Sequence, residues 1–399
     1  MGGRLMSNKL QLADSNRAIY FVSLFIYNLA RVLPHAVLTV ILLNKGMTVA
    51  KIAIIQSFFM LAAIIFDLPS GILTDLWSEK LTYEASLVLI MVSYTLTMVS
   101  SSFVVLCCSW FIYGISSATI NGSLDAYFIR RANGDNGQIK QINVLINHTT
   151  LYSGLIGGGV GSFIYQFMDV RMYWLSLILL AAAFGLILVG FHPRGRGHES
   201  SVEHPSWRNV LRDFKMLLGR RRVLCVIGLC SVYQVVAQLF FQFWQINFLK
   251  QHFSKTYFGI FYVVFQVVAI ISNHWFSRCD FSHALIRLVL LLGGGFLLAI
   301  IAPNKYVFLL LVICFLFPFN IYNSQLMVNM QQEVTANVMS SMMSLTETCA
   351  SGISILTLWI VGLLDQHLPF LQVEGVLVLI YIVSSCCLIW LYQEEHRHS

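Results

Sequence analysis

The chain has 399 residues, 57% of them hydrophobic and only 11% charged, and its mean hydropathy is +0.74. A water-soluble protein of that make-up would have nowhere to hide its apolar surface, so the solvent has to be lipid. The net charge of +7 does not by itself point to nucleic acid, because what counts in such a chain is where the basic residues fall relative to the apolar segments.

Apolar segments of about twenty residues or more, each long enough as a helix to cross a hydrocarbon core of about 30 Å, recur along the whole chain. Twelve are expected, at 17–43, 51–74, 83–100, 103–129, 143–167, 170–192, 223–249, 257–276, 283–302, 305–329, 338–364 and 370–392. A short polar leader without a small-residue cleavage pattern precedes the first, which reads as a retained span rather than a signal peptide. With both termini inside, eighteen of the 25 Lys and Arg fall on the inner side, six on the outer side, and Arg31 within the membrane. The positive-inside rule therefore gives a multi-pass protein with cytoplasmic termini. The nine cysteines include the neighbouring pairs Cys107-Cys108 and Cys386-Cys387, whose side chains point apart on a helix. No CxxC pairing or His/Cys cluster is present, so neither a disulfide framework nor a metal site is expected.

The polar, basic stretch from His192 to Arg222 divides the spans six and six. The expected organisation is an N-terminal six-helix bundle (1–192), a linker (193–222) and a C-terminal six-helix bundle (223–399). Within the linker, Trp207, Val210, Leu211, Phe214, Leu217 and Leu218 are spaced for one face of a helix lying on the inner membrane surface, its Arg and Lys toward lipid phosphates. A flexible connection is the alternative.

At the end of the second span, Asp67-Leu-Pro-Ser-Gly71 is followed by Asp75 and the basic tail ending at Lys80. A Gly, an Asp four residues on and a basic tail resemble the loop signature of the major facilitator superfamily. Gly71 allows close helix approach, and Asp75 can meet a helix N-terminus or an arginine, with Arg130 and Arg131 at the end of the fourth span as partners. The resemblance implies a latch on the inner side, built here from Gly71, Asp75, Arg130 and Arg131. Ser78 and Glu79 stand where Gly and Arg are usual, which allows a rewired latch, and a plain solvated turn is the bland reading. Leu33-Pro34, the run Asn121 to Ala126, and Trp244-Gln245 resemble features of bacterial drug-efflux-like members. Gly154, Gly157, Gly158, Gly159 and Gly161 resemble the glycine-rich antiporter motif without its proline, and small-residue helix packing explains them nearly as well. The fourth span has Trp110 where proton-coupled exporters commonly place an arginine.

Charges inside hydrocarbon are expensive, so those that remain are functional hypotheses. They are Arg31, Asp67, Asp125 and Glu347, whereas Glu84 and Glu374 sit near span ends and read as ordinary. Gly114, Ser117, Asn121 and Asp125 are spaced for one face of the fourth span, and Gln234, Gln238, Gln242 and Gln245 form a second stripe in the seventh, beside Trp244. The tenth span adds Asn320 and Asn323, with Gln325 and Asn329. Each amide has a helix-to-helix hydrogen bond as its bland reading. Arg31 and His35, one turn apart, present a cationic spot to an anionic or carbonyl-bearing solute, or else Arg31 is structural. The resemblance implies that the first, fourth, seventh and tenth spans line a cavity, which makes Arg31, His35, Asn121, Gln234, Gln238, Gln242, Gln245, Trp244, Asn320 and Asn323 candidate substrate contacts. Asp125, with Asp67 as rival, is the candidate proton-coupling group, a structural pairing with Arg130 or Arg131 being the alternative.

The expected fold is all-α, twelve transmembrane helices in two six-helix bundles. The expected function is alternating-access transport, as proton-coupled export of amphipathic organic compounds, from a bacterial inner membrane. Proton-coupled uptake of a sugar, nucleoside or peptide is the alternative. A lipid-handling membrane enzyme is third, and the chain shows no converging nucleophile, acid-base or metal constellation for it. The expected partners are a small-molecule substrate, protons and membrane lipids, with no nucleic acid and a monomeric chain. No cofactor is implied, and a nucleotide-driven pump lacks its GxxxxGK[ST] loop.

Overall fold

The computed structural model describes residues 2–76, 78–120, 123–131, 136–192, 215–281, 284–334 and 339–397. Asn121 and most of the linker, including the run from Trp207 to Phe214, lie outside the described residues, as do the side chains of Gly71, Asp75 and Arg130.

The described residues are helical, with no strand among them. The helices are α1 (Gly2–His35), α2 (Leu38–Asn44), α3 (Val49–Leu76), α4 (Glu79–Val99), α5 (Phe103–Ile120), α6 (Leu124–Arg131), α7 (Asn136–Met168), α8 (Met172–Gly190), α9 (Arg221–Lys250), α10 (Phe258–Phe276), α11 (Leu285–Ile300), α12 (Lys305–Gln332), α13 (Met339–Leu364) and α14 (Phe370–Arg397). Among the described residues, ten stretches are long and apolar enough to cross a bilayer. One of them, Gln141–Gly190, contains most of α7 and all of α8, and α11 is a further, shorter apolar helix. The chain is thus a polytopic, all-α membrane protein.

Two expected spans are interrupted. Pro34 has no N–H to give and crowds the carbonyl one turn back, so the chain leaves α1 at His35, turns with Val37 N–H on Pro34 O (3.2 Å) and restarts as α2. The fourth span ends as a described helix at Ile120. There Ser123 donates both its N–H (3.3 Å) and its hydroxyl (2.6 Å) to Ile120 O, a local bond that competes with helix continuation, and α6 begins at Leu124. The single face drawn through Gly114, Ser117, Asn121 and Asp125 assumed one unbroken helix, and that is corrected: Gly114 belongs to α5 and Asp125 to α6.

The chain divides into two compact units. One comprises residues 1–47, 58–197 and 255–263, the other 48–57, 198–254 and 264–399. In the first, α1 packs on α7 and α8, and α4 on α5 and α8. The α1–α7 approach depends on Gly157 and Gly161, four residues apart on one face: a Cβ at Gly157 would stand 3.1 Å from Leu29 O, and one at Gly161 would run into Leu33 O. On a neighbouring face of α7 the Tyr262 ring fills the space a Gly158 side chain would need. Ser162 accepts the Gly259 N–H (2.7 Å) and donates to Thr256 O (3.2 Å), so α7 supplies a cap for the first turn of α10. Packing therefore accounts for Gly157, Gly158 and Gly161.

Ser78, a departure from the loop signature, and Lys80, the end of its basic tail, also have structural roles. Ser78 is the N-cap of α4, accepting the Leu81 N–H at 3.1 Å. Lys80 donates to Leu188 O (3.0 Å) and Phe191 O (2.9 Å), a cation on the last carbonyls of α8, and pairs with Glu84 at 3.7 Å. Asn16 closes the same end, donating to His192 O and accepting His192 N–H.

In the second unit α9 packs on α13 and α14, and α11 on α12 and α14. The first turns of α3 are held here: Trp359 Nε1 donates to Ser57 Oγ (2.9 Å), the Asp365 carboxyl takes the Ala50 N–H, and a Cβ on Gly362 would stand 3.3 Å from Ala50 O.

Candidate functional site

In the first unit a buried aromatic shell surrounds the end of α1. Arg31 lies over the Tyr27 ring, its Cζ 5.7 Å from the centroid, and Tyr94, Tyr113 and Tyr262 stand within electrostatic reach of it. The Tyr94 hydroxyl donates to the Arg31 carbonyl (3.1 Å), and His35 Nε2 shares a hydrogen bond with the Tyr113 hydroxyl at 3.0 Å. Tyr113 is held by Phe59, Tyr94 and Trp110. Arg31 Nε is buried with no hydrogen-bond partner, and no described carboxylate lies at ion-pair distance from its guanidinium. The structure therefore brings together Arg31 and His35, and adds four tyrosines that their spacing in the sequence could not reveal, since they come from α1, α4, α5 and α10.

Asp125 and Asp67 are not part of this cluster's hydrogen bonding. Asp125 is half-buried in the first turn of α6, close enough to Tyr20 and Tyr83 to act on them electrostatically. Asp67 is exposed on α3, and Glu347 is exposed on α13. Arg131 lies over the Tyr127 ring at 4.5 Å.

In the second unit the glutamines of α9 form a short ladder rather than four equivalent groups. Gln242 Nε2 donates to Gln238 Oε1 (3.2 Å), and Gln238 Nε2 donates to Ser354 Oγ on α13 (3.3 Å). Gln245 and Trp244 are buried, Gln234 and Gln242 half-buried. Trp244 is edge-on to Phe248 and Phe265 and lines a narrow aromatic cavity of about 20 Å³, room for roughly one water. On α12, Asn320 turns back on its own helix to donate to Leu316 O (2.7 Å) beside Pro318, and Asn323 is half-buried. Gln325 donates to Asn329 Oδ1 (2.9 Å).

One reading is overturned outright. Glu374, taken as an ordinary group near the headgroups, has no exposed surface. Its Oε1 accepts from Asn247 Nδ2 on α9 (2.8 Å), while Oε2 is buried without a partner. The signal available in the sequence was Asn247, a second polar residue near the outer end of a span.

Among the described residues, ten apolar helical stretches gathered in two compact helical units define a polytopic α-helical membrane protein. The family model of the Major Facilitator Superfamily matches residues 20–358. The chain belongs to that superfamily. It is 21% identical over 190 residues to the uncharacterized MFS-type transporter YxaM of Bacillus subtilis (strain 168), a match spanning 47% of each protein, about half that relative's length. Among solved structures it is similar to the nucleoside transporter NupG (TM-score 0.74, 14% identity, covering 96% of this chain and 99% of that one). It is also similar to a POT family transporter in complex with 5-aminolevulinic acid (TM-score 0.71, 12% identity, 94% and 96% covered). At those identities the likeness is one of fold. The expected superfamily resemblance and the all-α membrane fold both stand.

Proposed function

We propose that the protein is a secondary active transporter that moves a small organic solute by alternating access, driven by protons. The observation that carries the reading is the Arg31 cluster: a guanidinium with no carboxylate partner, kept within a membrane-spanning unit of a transporter-family chain, is too costly to retain for packing alone. Arg31 and His35 are the first-choice substrate contacts in the N-terminal unit. Gln234 and Gln242, the half-buried members of the α9 stripe, are those of the C-terminal unit, with Asn323 on α12. Gln238, bonded to Ser354 and Gln242, the buried Gln245 and Trp244, and Asn320, turned onto its own helix, are the weaker candidates.

Asp125 is the proposed coupling group, half-buried among tyrosines, with Asp67 as its rival. The loop of Gly71, Asp75, Arg130 and Arg131 remains the proposed inner latch. Export of amphipathic organic compounds from a bacterial cytoplasm is the direction proposed, with cytoplasmic termini. Uptake of a polar solute is the second reading, favoured by the fold likeness to a nucleoside transporter and to a POT family protein solved with 5-aminolevulinic acid.

Reconstituted vesicles with an imposed pH gradient of either sign test both. Solute movement against the proton gradient supports export, movement with it supports uptake, and no dependence on the gradient removes proton coupling. Asp125→Asn should abolish concentrative transport and spare solute exchange. An Asp125→Asn protein that still concentrates solute under a proton gradient would end the coupling role.

A further inference from the structure

Arg31 is unusual in what does not surround it. The helices packed against α1 are α7 and α8, and the acid carried between residues 136 and 190 is Asp169, in the turn joining them, where it acts on Lys45 and Tyr165 instead. On α4 the acids are Glu79 and Glu84, and Glu84 stands with Lys80. α5 has no acid, and residues 255–263, which contribute Tyr262, have none either. The guanidinium thus keeps its charge among aromatic faces and hydroxyls, with Nε buried and unmet. Tyrosine rings offset part of that charge, but a planar fork of N–H groups is fully met only by an oxyanion.

The cage also selects the rest of a ligand. Tyr27 and Tyr113 are buried apolar bodies with hydroxyl tips, Trp110 and Phe59 lie behind Tyr113, and His35 offers a neighbouring ring nitrogen bonded to the Tyr113 hydroxyl. Such walls accept an aromatic or apolar body beside the charged group and offer nothing to a cation. Resting on the transporter reading above, we propose that the Arg31 cage binds the oxyanion of the transported solute, which is therefore a carboxylate-bearing organic molecule with an aromatic or apolar body. Cationic amphiphiles, the other common kind of lipophilic cargo, are repelled by Arg31.

The test uses the full chain in phosphatidylcholine nanodiscs and matched probe pairs: indole-3-acetate with indole-3-acetamide, benzoate with benzamide, and hexanoate with hexanamide, plus phenyl phosphate and benzylamine. Binding is read by thermal stabilisation and by tryptophan fluorescence. The expected result is that at least one carboxylate binds, its amide and benzylamine do not, and Arg31→Gln weakens the carboxylate by at least about tenfold while Arg31→Lys weakens it less. Gly154→Ala, with open space at its Cβ and no part in the cage, is the folded control and should retain binding, and Arg31→Lys, which keeps the charge without the planar fork, carries the test should Arg31→Gln not fold. Equal binding of acid and amide, retention of carboxylate binding in Arg31→Gln, or silence from every anion overturns the proposal. Preference for phenyl phosphate over all carboxylates overturns the carboxylate assignment. So does stabilisation that follows added phosphatidylglycerol and no soluble anion, because the cage would then hold a lipid headgroup. Vesicle counterflow separates the two levels: carboxylate binding without any counterflow removes the transporter reading and leaves the oxyanion site, whereas counterflow of neutral solutes alone does the reverse.

Discussion

Replacing Ser162 by Ala removes one hydroxyl and strands one amide. In the native protein that hydroxyl accepts the Gly259 N–H at 2.7 Å and donates to Thr256 O at 3.2 Å. Gly259 is the second residue of α10, so its N–H has no carbonyl within its own helix to turn to, and Gly259 is packed directly on the Gly158 and Gly159 carbonyls of α7. A buried donor left unmet costs about 1–3 kcal/mol. At about 1.4 kcal/mol per tenfold, the Gly259 amide should exchange with solvent about 5- to 140-fold faster in Ser162→Ala. Hydrogen-exchange mass spectrometry of a peptide covering residues 255–263, with the protein in nanodiscs, reads this directly. Ser153→Ala is the internal control, because the Ser153 hydroxyl bonds only to Thr149 O and Thr150 O of its own helix. Exchange within twofold of wild type in Ser162→Ala would refute the claim that α7 caps α10.

Gly161→Val should lower thermal stability by the equivalent of about 1–3 kcal/mol or prevent insertion, since its side chain would meet the Leu33 carbonyl, whereas Gly154→Ala, with open space at its Cβ, should melt like wild type. Equal melting of the two in fluorescence-detected gel filtration would contradict the packing. Burial raises the Asp365 carboxyl above 3.8, against Lys250 and the Ala50 N–H, which favour its charged form. A carboxyl raised in the folded protein makes the fold less stable as pH climbs through that window, so Asp365→Asn, which keeps an acceptor for Ala50, should gain on wild type as pH rises and match it in acid. A variant less stable than wild type at neutral pH would show that the charge itself is needed. Gln238→Leu should cost about 1 kcal/mol in thermal stability through loss of the Ser354 and Gln242 bonds, and Gln234→Leu should change apparent solute affinity with little change in melting; the reverse pattern would reassign both residues.

The membrane character of the chain was legible in the sequence because spans are written in composition, which no tertiary contact can override. The breaks were half legible: Pro34 announced the first, while the second arises from Ser123 bonding to Ile120, a choice that a serine in an apolar run does not declare. Glycine spacing at 157 and 161 signalled close helix approach, yet named neither α1 as the partner nor Tyr262 as the occupant beside Gly158. Arg31 and His35 stood out as costly polar groups, but the tyrosines that shape their surroundings look, one by one, like ordinary membrane aromatics. Glu374 was misjudged because depth was counted along the chain, and burial depends on neighbours such as α9 that arrive from 127 residues away.

The hold on the first turns of α3 has a temporal side. Ser57 is synthesised 302 residues before Trp359, its partner. At translation rates of about 5–20 residues per second, roughly 15–60 s separate the two on the ribosome. For that interval the Ser57 hydroxyl keeps its bond to Ile54 O (2.7 Å), but the Ala50 amide must be met by something other than Asp365, whether water at the bilayer edge, a lipid headgroup or an insertion chaperone. A nascent chain halted after the sixth apolar segment should therefore leave residues 48–57 open to protease and, with a cysteine introduced at Lys51, to thiol labels, and protection should set in only once Trp359 and Asp365 have cleared the ribosomal tunnel.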